Sequence, residues 1–356
     1  MNHNQLEYIF NQFKHNAVFE SVQELVSGHI NDTYLIQTTN KPYYILQKIN
    51  HTVFKDVPGL VSNKVLISQH LQHKLKHLPK NELFRRVLSF ISSKTENFYF
   101  KNEDGCYWNL MRYIDDSITF ETVNSAHIAY EAGKLFGNFL NLTSDFELTK
   151  LTTVIPKFHD MSFRYSQFEE ALQKASQERL DLAKNQILLV QELKEEMHIL
   201  QRLKESGDIR LRVTHNDTKV SNALFTQGNK GLCVIDTDTI MPGIIHYDFG
   251  DAIRSICNTG EEDEINLDLV KFNVSYYKAY AKGFLEQIGD SLSEIETKYL
   301  LLGAKSMIFI MAIRFLTDYL NNDIYYKTKY LEHNLNRSKN QLKLLQSLTN
   351  QEKELA

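Results

Sequence analysis

The chain has 356 residues, a formal net charge of −4, 42% hydrophobic and 24% charged residues, which is room for a large buried core or two lobes around a cleft. That charge gives no basic face for a nucleic acid, and no apolar run reaches membrane-spanning length, the nearest (307–313) being interrupted by Arg314. Three cysteines in no metal-binding spacing, Cys106, Cys233 and Cys257, fit a reducing compartment, and the polar start MNHNQLEYIFNQF is not a signal peptide, so the expected location is cytoplasmic.

Residues 3–14 read as an amphipathic helix with Leu6, Ile9, Phe10 and Phe13 on one side. Runs 21–25, 34–38 and 43–49 are β-rich, separated by a loop opening at Gly28 and by a turn over 39–42. Strand, glycine loop, strand, turn, strand is how a nucleotide-covering lobe begins. A plain hairpin explains these residues equally well, because one glycine stands where kinases have three. Residues 60–78 predict a helix. Segments 98–100 and 106–114 flank Asn102-Glu103-Asp104-Gly105 as a hairpin, whose second strand runs into 111–116, a position suited to packing an adenine. From about Thr119 the pattern turns helical, over 126–142, 164–175 and 179–205, and after about Asp248 over 265–287, 293–320 and 333–348. The class is α+β, with a β-rich part (1–115) and a largely helical part (116–356) as two lobes of one catalytic unit.

The stretch 213–242 interrupts the helices with H-x-D-x-x-x-x-N: His215, Asp217 and Asn222. An apolar run, a turn and a second apolar run follow, ending at Asp236, nineteen positions after Asp217. Phosphoryl transfer needs a carboxylate to receive the acceptor's hydroxyl proton, and an amide and a second carboxylate to hold Mg²⁺ against phosphates. A loop, a hairpin and an acidic strand end can supply all three, with Lys219 as a nearby cation; an Asx-turn loop between two strands is the bland alternative. Asp248-Phe249-Gly250 spells a kinase metal motif, but it lies thirty-one positions after Asp217, beyond the strand that should present the ligand. Asp248 is therefore expected to accept backbone donors near the loop, and Arg254 to pair with Asp248 or Asp251. His215 is expected to brace the loop, since Asp217 already fills the base position.

These segments, with GHINDTYL (28–35), YILQKIN (44–50), DFGDAIR (248–254), RFLTDYL (314–320) and DIYYKTKYLEHNLNR (323–337), resemble the aminoglycoside phosphotransferase/choline kinase superfamily. Within it the likeness is to the N-acetylhexosamine 1-kinase group and covers most of the chain. The resemblance implies a bilobal protein-kinase-like fold and ATP- and Mg²⁺-dependent phosphorylation of the anomeric hydroxyl of N-acetylglucosamine or N-acetylgalactosamine. It makes Asp217 the catalytic carboxylate, Asn222 and Asp236 metal ligands, and Asp238 a support for the metal through water. Lys219, Gln47 and Gly28 fall to the nucleotide, and His29, Asn31, Arg314 and Tyr325 to the sugar. Without it, His29 reads as an ordinary loop histidine, Tyr325 as core, and Arg314 as an i,i+4 partner of Asp318.

One departure stands out. Kinase-like folds place a Lys on the third strand, paired with a Glu on the next helix; here Gln47 occupies that place, Lys48 would face the other way, and 60–78 contains no acidic residue. Either Lys48 is reached through a bulge, or phosphate binding relies on backbone amides, Lys219 and metal, the reading favoured. Sister kinases acting on choline, homoserine, methylthioribose or an aminoglycoside are the first rival. A binding protein without chemistry is the second.

Overall fold

Alternating apolar residues of the N-terminal third bury one face of an antiparallel sheet in the computed structural model, which describes residues 2–25 and 30–355. The chain divides into two units, one comprising Met1–Thr119, Leu142–Pro156 and Asn222–Pro242, the other Phe120–Asn141, Lys157–Ser221 and Gly243–Ala356.

The first unit opens with α1 (His3–Phe10), whose end is closed by a capping box between Asn2 and Gln5. Strands β1 (Phe19–Leu25), β2 (Asp32–Thr38) and β3 (Tyr44–Ile49) precede α2 (Val57–Lys74) and α3 (Lys80–Arg86). Then come β4 (Phe90–Ile91), β5 (Phe100–Lys101), β6 (Tyr107–Arg112) and β7 (Ser117–Ile118). The sheet order is β1-β2-β3-β6-β4, with β5 also pairing β6 and every pairing antiparallel. One face carries Tyr34, Ile36, Tyr44, Leu46, Trp108 and Leu110 onto Leu6, Ile9, Phe10 and Phe13 of the N-terminal segment. The other turns Ile45 and Met111 toward Leu88, Ile114, Leu232 and Cys233. The last two belong to the hairpin of Ala223–Thr226 and Gly231–Val234, to which β7 adds a third strand. The hairpin after the H-x-D-x-x-x-x-N loop is thus part of the first unit, although it lies in the later sequence. Helix α2 starts earlier than its apolar pattern implies, because Asp56 accepts the Gly59 N–H and a proline stands in the first turn.

The second unit contains α4 (Ala126–Leu142, all but its last residue), α5 (Met161–Lys174), α6 (Gln177–Leu182), α7 (Lys184–Glu192), α8 (Lys194–Met197) and α9 (Ile199–Glu205). It continues with α10 (Ile245–Ile256), α11 (Val274–Ile288), α12 (Glu294–Lys298), α13 (Leu300–Leu320) and α14 (His333–Asn350). Helix α13 is central, packing on α10, α14 and α5. The helix expected over 179–205 is four short helices, each touching α13, so that segment bends to follow the core. The helix expected from 265 begins only at Val274, because Asn266 and Asn273 use their side chains to cap later backbone N–H groups. Contrary to the sequence expectation, α13 is long and apolar enough by length and composition to cross a membrane, Arg314 notwithstanding; 72% of its most apolar stretch is buried inside the protein, as in a core helix. Helices α4 and α11 cross closely: a Cβ on Gly283 would meet the Tyr130 carbonyl, and one on Gly133 the Tyr280 carbonyl.

Candidate active site

In the second unit, α10 shapes the loop after the short strand Arg212–Thr214. The Asp248 carboxylate accepts N–H bonds from His215 and Asn216, both at 2.7 Å. One turn on, Asp251 accepts the Thr218 N–H at 3.0 Å, and the Thr218 hydroxyl donates to the Asp248 carbonyl at 2.5 Å. Asn216 is left-handed, with φ of 64°, a conformation Asn tolerates better than most residues. Burial pushes the Asp248 carboxyl up to about 6 despite those donors. Arg254 binds Asp251 through Nε at 3.0 Å and Glu262 through Nη1 at 2.9 Å. The DFG spelling therefore marks a scaffold, as its spacing implied.

His215 is fully buried, its ring 6.0 Å from the rings of both Phe136 and Phe139, and its Nδ1 accepts the Asp217 N–H at 3.3 Å. His159 Nε2 lies 3.3 Å from the Asn216 carbonyl. Burial lowers its pKa to about 3, so the ring is neutral and donates that bond. Two histidines thus brace the loop from inside. The Asp217 side chain stays 32% exposed, with Lys219 Nζ 3.4 Å from its Oδ2.

In the first unit, the Ile235 N–H donates to the Asn222 carbonyl at 2.9 Å and Val234 pairs with Ala223. Asn222 and Asp236 therefore stand at the same end of the hairpin. Asp236 itself is left-handed (φ 56°, ψ 59°) and starts the turn Thr237–Thr239, a conformation disfavoured for an L-residue and common where a side chain is being aimed. Among the described residues no group of three or more His, Cys, Asp or Glu side chains could hold a metal ion. One carboxylate and one amide oxygen do fit Mg²⁺, a hard cation that keeps waters and takes phosphate oxygens for the rest.

The strand position that lacks lysine is occupied as its pattern implied. Gln47 is buried, and β2–β3–β6 run without a bulge here, Gln47 lying between Thr33 and Asn109. Lys48 turns away and lies 3.6 Å from Asp32, so it is not brought round to the face that Gln47 occupies. A lysine comes instead from α2. Lys64, 2% exposed, donates to Gln47 Oε1 at 3.2 Å and to Asp238 Oδ1. The other Asp238 oxygen accepts from Asn31 Nδ2, while Asn31 Oδ1 accepts the Asn50 N–H at 2.8 Å. Asp238, expected to support the metal through water, and Asn31, expected at the sugar, are thus both tied into the Lys64 network. Gly28 and His29 lie outside the described residues.

On α13, the Arg314 guanidinium carbon is 5.7, 6.0 and 5.5 Å from the ring centres of Phe158, Tyr325 and Tyr326. Asp318, the simple i,i+4 partner, instead accepts the N–H groups of Tyr325 and Tyr326 at 2.9 Å each and Asn334 Nδ2 at 3.0 Å. Arg314 bonds Met311 Sδ at 3.6 Å, and among the described residues no carboxylate comes within 4.0 Å of its nitrogens. Burial, then the Arg314 charge, lowers the Arg164 pKa to about 10. Tyr325, 69% exposed, is edge-on to Tyr326 rather than core. Sequence reasoning missed Lys64, whose signal was present: Asn63-Lys64 is a polar pair on the apolar face of Leu60, Val61 and Ile67.

Three solved structures share this architecture. An aminoglycoside phosphotransferase from Alicyclobacillus acidocaldarius superposes with a TM-score of 0.65 at 12% identity, over 98% of this chain and 96% of that one. A microcompartment-associated aminopropanol kinase gives 0.64 at 13%, over 98% of each chain. An amicoumacin kinase in complex with AMP-PNP and Ca²⁺ gives 0.60 at 11%, over 97% and 94%. At these identities the likeness establishes the fold, the α+β kinase-like fold expected from the sequence. The sequence profile of the phosphotransferase enzyme family (APH) matches residues 21–282. The chain belongs to that phosphotransferase family.

Proposed function

We propose that the protein phosphorylates the C1 hydroxyl of N-acetylhexosamines with Mg-ATP. The family membership makes it a phosphotransferase; action on a small molecule, and on this acceptor, is the further step. One observation carries it: a guanidinium without a carboxylate partner among the described residues, facing three aromatic rings, with a second arginine near enough to feel its charge. Cationic acceptors such as choline, aminopropanol or an aminoglycoside want acidic or aromatic surroundings; the rings alone would suit them, but two guanidiniums repel them. A neutral sugar offers what this arrangement lacks, an acetamido or hydroxyl oxygen to accept from Arg314 and a ring face to lie against tyrosine. The sequence likeness of the 28–35, 314–320 and 323–337 segments supports the same acceptor, with His29, Asn31, Arg314 and Tyr325 as its contacts.

In this reading the Asp217 carboxylate takes the proton of the sugar hydroxyl as that oxygen bonds to the γ-phosphorus and the bond to the leaving ADP breaks. Asn222 and Asp236 would hold Mg²⁺, which when bound neutralises phosphate charge. Lys219, beside Asp217, adds positive charge toward the transferred group. Work in the cytoplasm, where ATP is available, completes the proposal.

The test is turnover with Mg-ATP against a panel of free sugars, amino alcohols and aminoglycosides, with the product phosphate located by NMR. Reaction of N-acetylhexosamines alone, with phosphate on C1, is expected. Turnover of a cationic acceptor and none of the sugars would replace this reading with a sister kinase.

A further inference from the structure

We propose that Lys64, carried by helix α2, is the ammonium group that contacts the nucleotide phosphates, in place of the strand lysine that kinase-like folds use. The inference rests on the kinase reading above and goes beyond it, because neither the family match nor the sequence patterns assign Lys64 any role.

Four observations within the first unit converge. Lys64 is a lysine at 2% exposure, and taking an ammonium out of water is costly unless it is paired and put to use. Its nitrogen meets Gln47, the residue standing at the strand position where the lysine is missing, so strand and helix have exchanged the cation between them. Its carboxylate partner Asp238 belongs to the short turn that begins at Asp236, the candidate metal ligand. The ammonium is thereby tied to the segment where phosphate charge must be met. Finally, Asn109 lies directly opposite Gln47 in the sheet register, on the face that carries Ile45 and Met111, and is fully buried. Neither atom of its carboxamide has a hydrogen-bond partner among the described residues. A buried, unsatisfied amide across the sheet from the glutamine that holds a buried lysine is costly without a ligand and useful with one.

The position of Lys64 is also rigidly set. Its neighbour Asn63 donates to the Thr152 carbonyl at 2.7 Å and the Ile240 carbonyl at 2.8 Å, and accepts the Thr152 N–H at 2.9 Å. The helix is thereby locked to the 238–240 turn. Asp238 acts as the resting partner of Lys64, and phosphate oxygens take its place or share the ammonium when nucleotide is present. Gln47, neutral, orients the ammonium without competing for its charge, as a strand lysine could not.

The experiment measures binding of ADP and of adenosine by isothermal titration in EDTA, so that metal does not carry the phosphates. It compares the wild type with Lys64→Met and with Lys64→Met/Asp238→Asn. The double variant removes both buried charges, so loss of fold in the single variant does not end the test. We expect ADP to bind about 10- to 100-fold more weakly to folded variants, the scale of one charge-assisted hydrogen bond, with adenosine affinity within about twofold of wild type. Wild-type ADP affinity in the double variant overturns the proposal. An equal loss for ADP and adenosine also overturns it, since Lys64 would then only hold the sheet together. A wild-type protein that binds no ADP in EDTA overturns this proposal, and one that binds none with Mg²⁺ restored removes the kinase reading as well, whereas failure of the sugar assignment alone leaves nucleotide binding untouched.

Discussion

Asp217 and Asp248 show how one side-chain type takes opposite tasks from its surroundings. Asp217 is partly exposed beside Lys219, which suits a base that must reach a substrate proton. Asp248 is buried and spends its oxygens on the loop's backbone. Asp217→Asn should lower kcat by about 10²- to 10⁴-fold, the usual contribution of a positioned base, with the melting temperature unchanged. Asp248→Asn should instead cost about 1–3 kcal/mol of stability, because one of the two loop N–H groups loses its acceptor; chemical denaturation would report it. Arg314→Ala should raise the sugar KM while leaving ADP affinity intact. If the KM does not move, the acceptor reading loses its main support.

At the scale of elements, several helices end where side chains intervene rather than where apolar periodicity stops. Asn273 starts α11 well after the point its sequence pattern implied, and Asp56 starts α2 before it. Packing decides other features. The α4–α11 crossing depends on three glycines, Gly133, Gly137 and Gly283, each lying where a Cβ would meet a carbonyl of the other helix. Gly283→Ala should therefore destabilise the protein by about 1–3 kcal/mol, the cost of overpacking a tight contact. A denaturant midpoint equal to wild type would show that the crossing can relax. In the first unit, strands β2 and β3 were legible as β-rich runs, and the hairpin that ends at Asp236 as two apolar runs about a turn. The contribution of α2 was not, because a polar pair inside an apolar helix face does not say which loop will meet it.

For the whole molecule, the response to acid follows from buried groups in the second unit. Burial holds His159 at about 3 and His246 at about 4, against about 6.5 in an unfolded chain. As pH falls below about 6.5 the unfolded chain takes up protons that the native state refuses, and stability drops by up to about 1.4 kcal/mol per pH unit for each imidazole. Asp248 opposes this, since burial raises it to about 6. Between about pH 6 and 4 the native state binds that proton and the unfolded chain does not. The net expectation is falling stability below about pH 6.5, with a shallower slope once Asp248 protonates. His159→Gln should flatten the pH dependence by about one proton; denaturation midpoints measured from pH 7 to 4.5 that keep the wild-type slope would rule this out.

What the sequence by itself determined is local or repeated: the β-rich runs that form β2 and β3, the apolar period of α4 and α14, and the spacing of Asp217, Asn222 and Asp236, on which the phosphoryl-transfer proposal rests. The misplaced DFG belongs here too: its spacing from Asp217 pointed to a scaffolding task, and Asp248 does accept the loop's N–H groups. Tertiary structure decided which distant groups meet. Lys64 and Asp238 are 174 positions apart, and Asn31 reaches the same carboxylate across 207. Asp318 turned to the backbone of Tyr325 and Tyr326, which left Arg314 to the aromatic rings. A residue's type sets the bonds it is able to make, but its partner is chosen by which surfaces the buried core brings together, and that choice is written in no single stretch of chain.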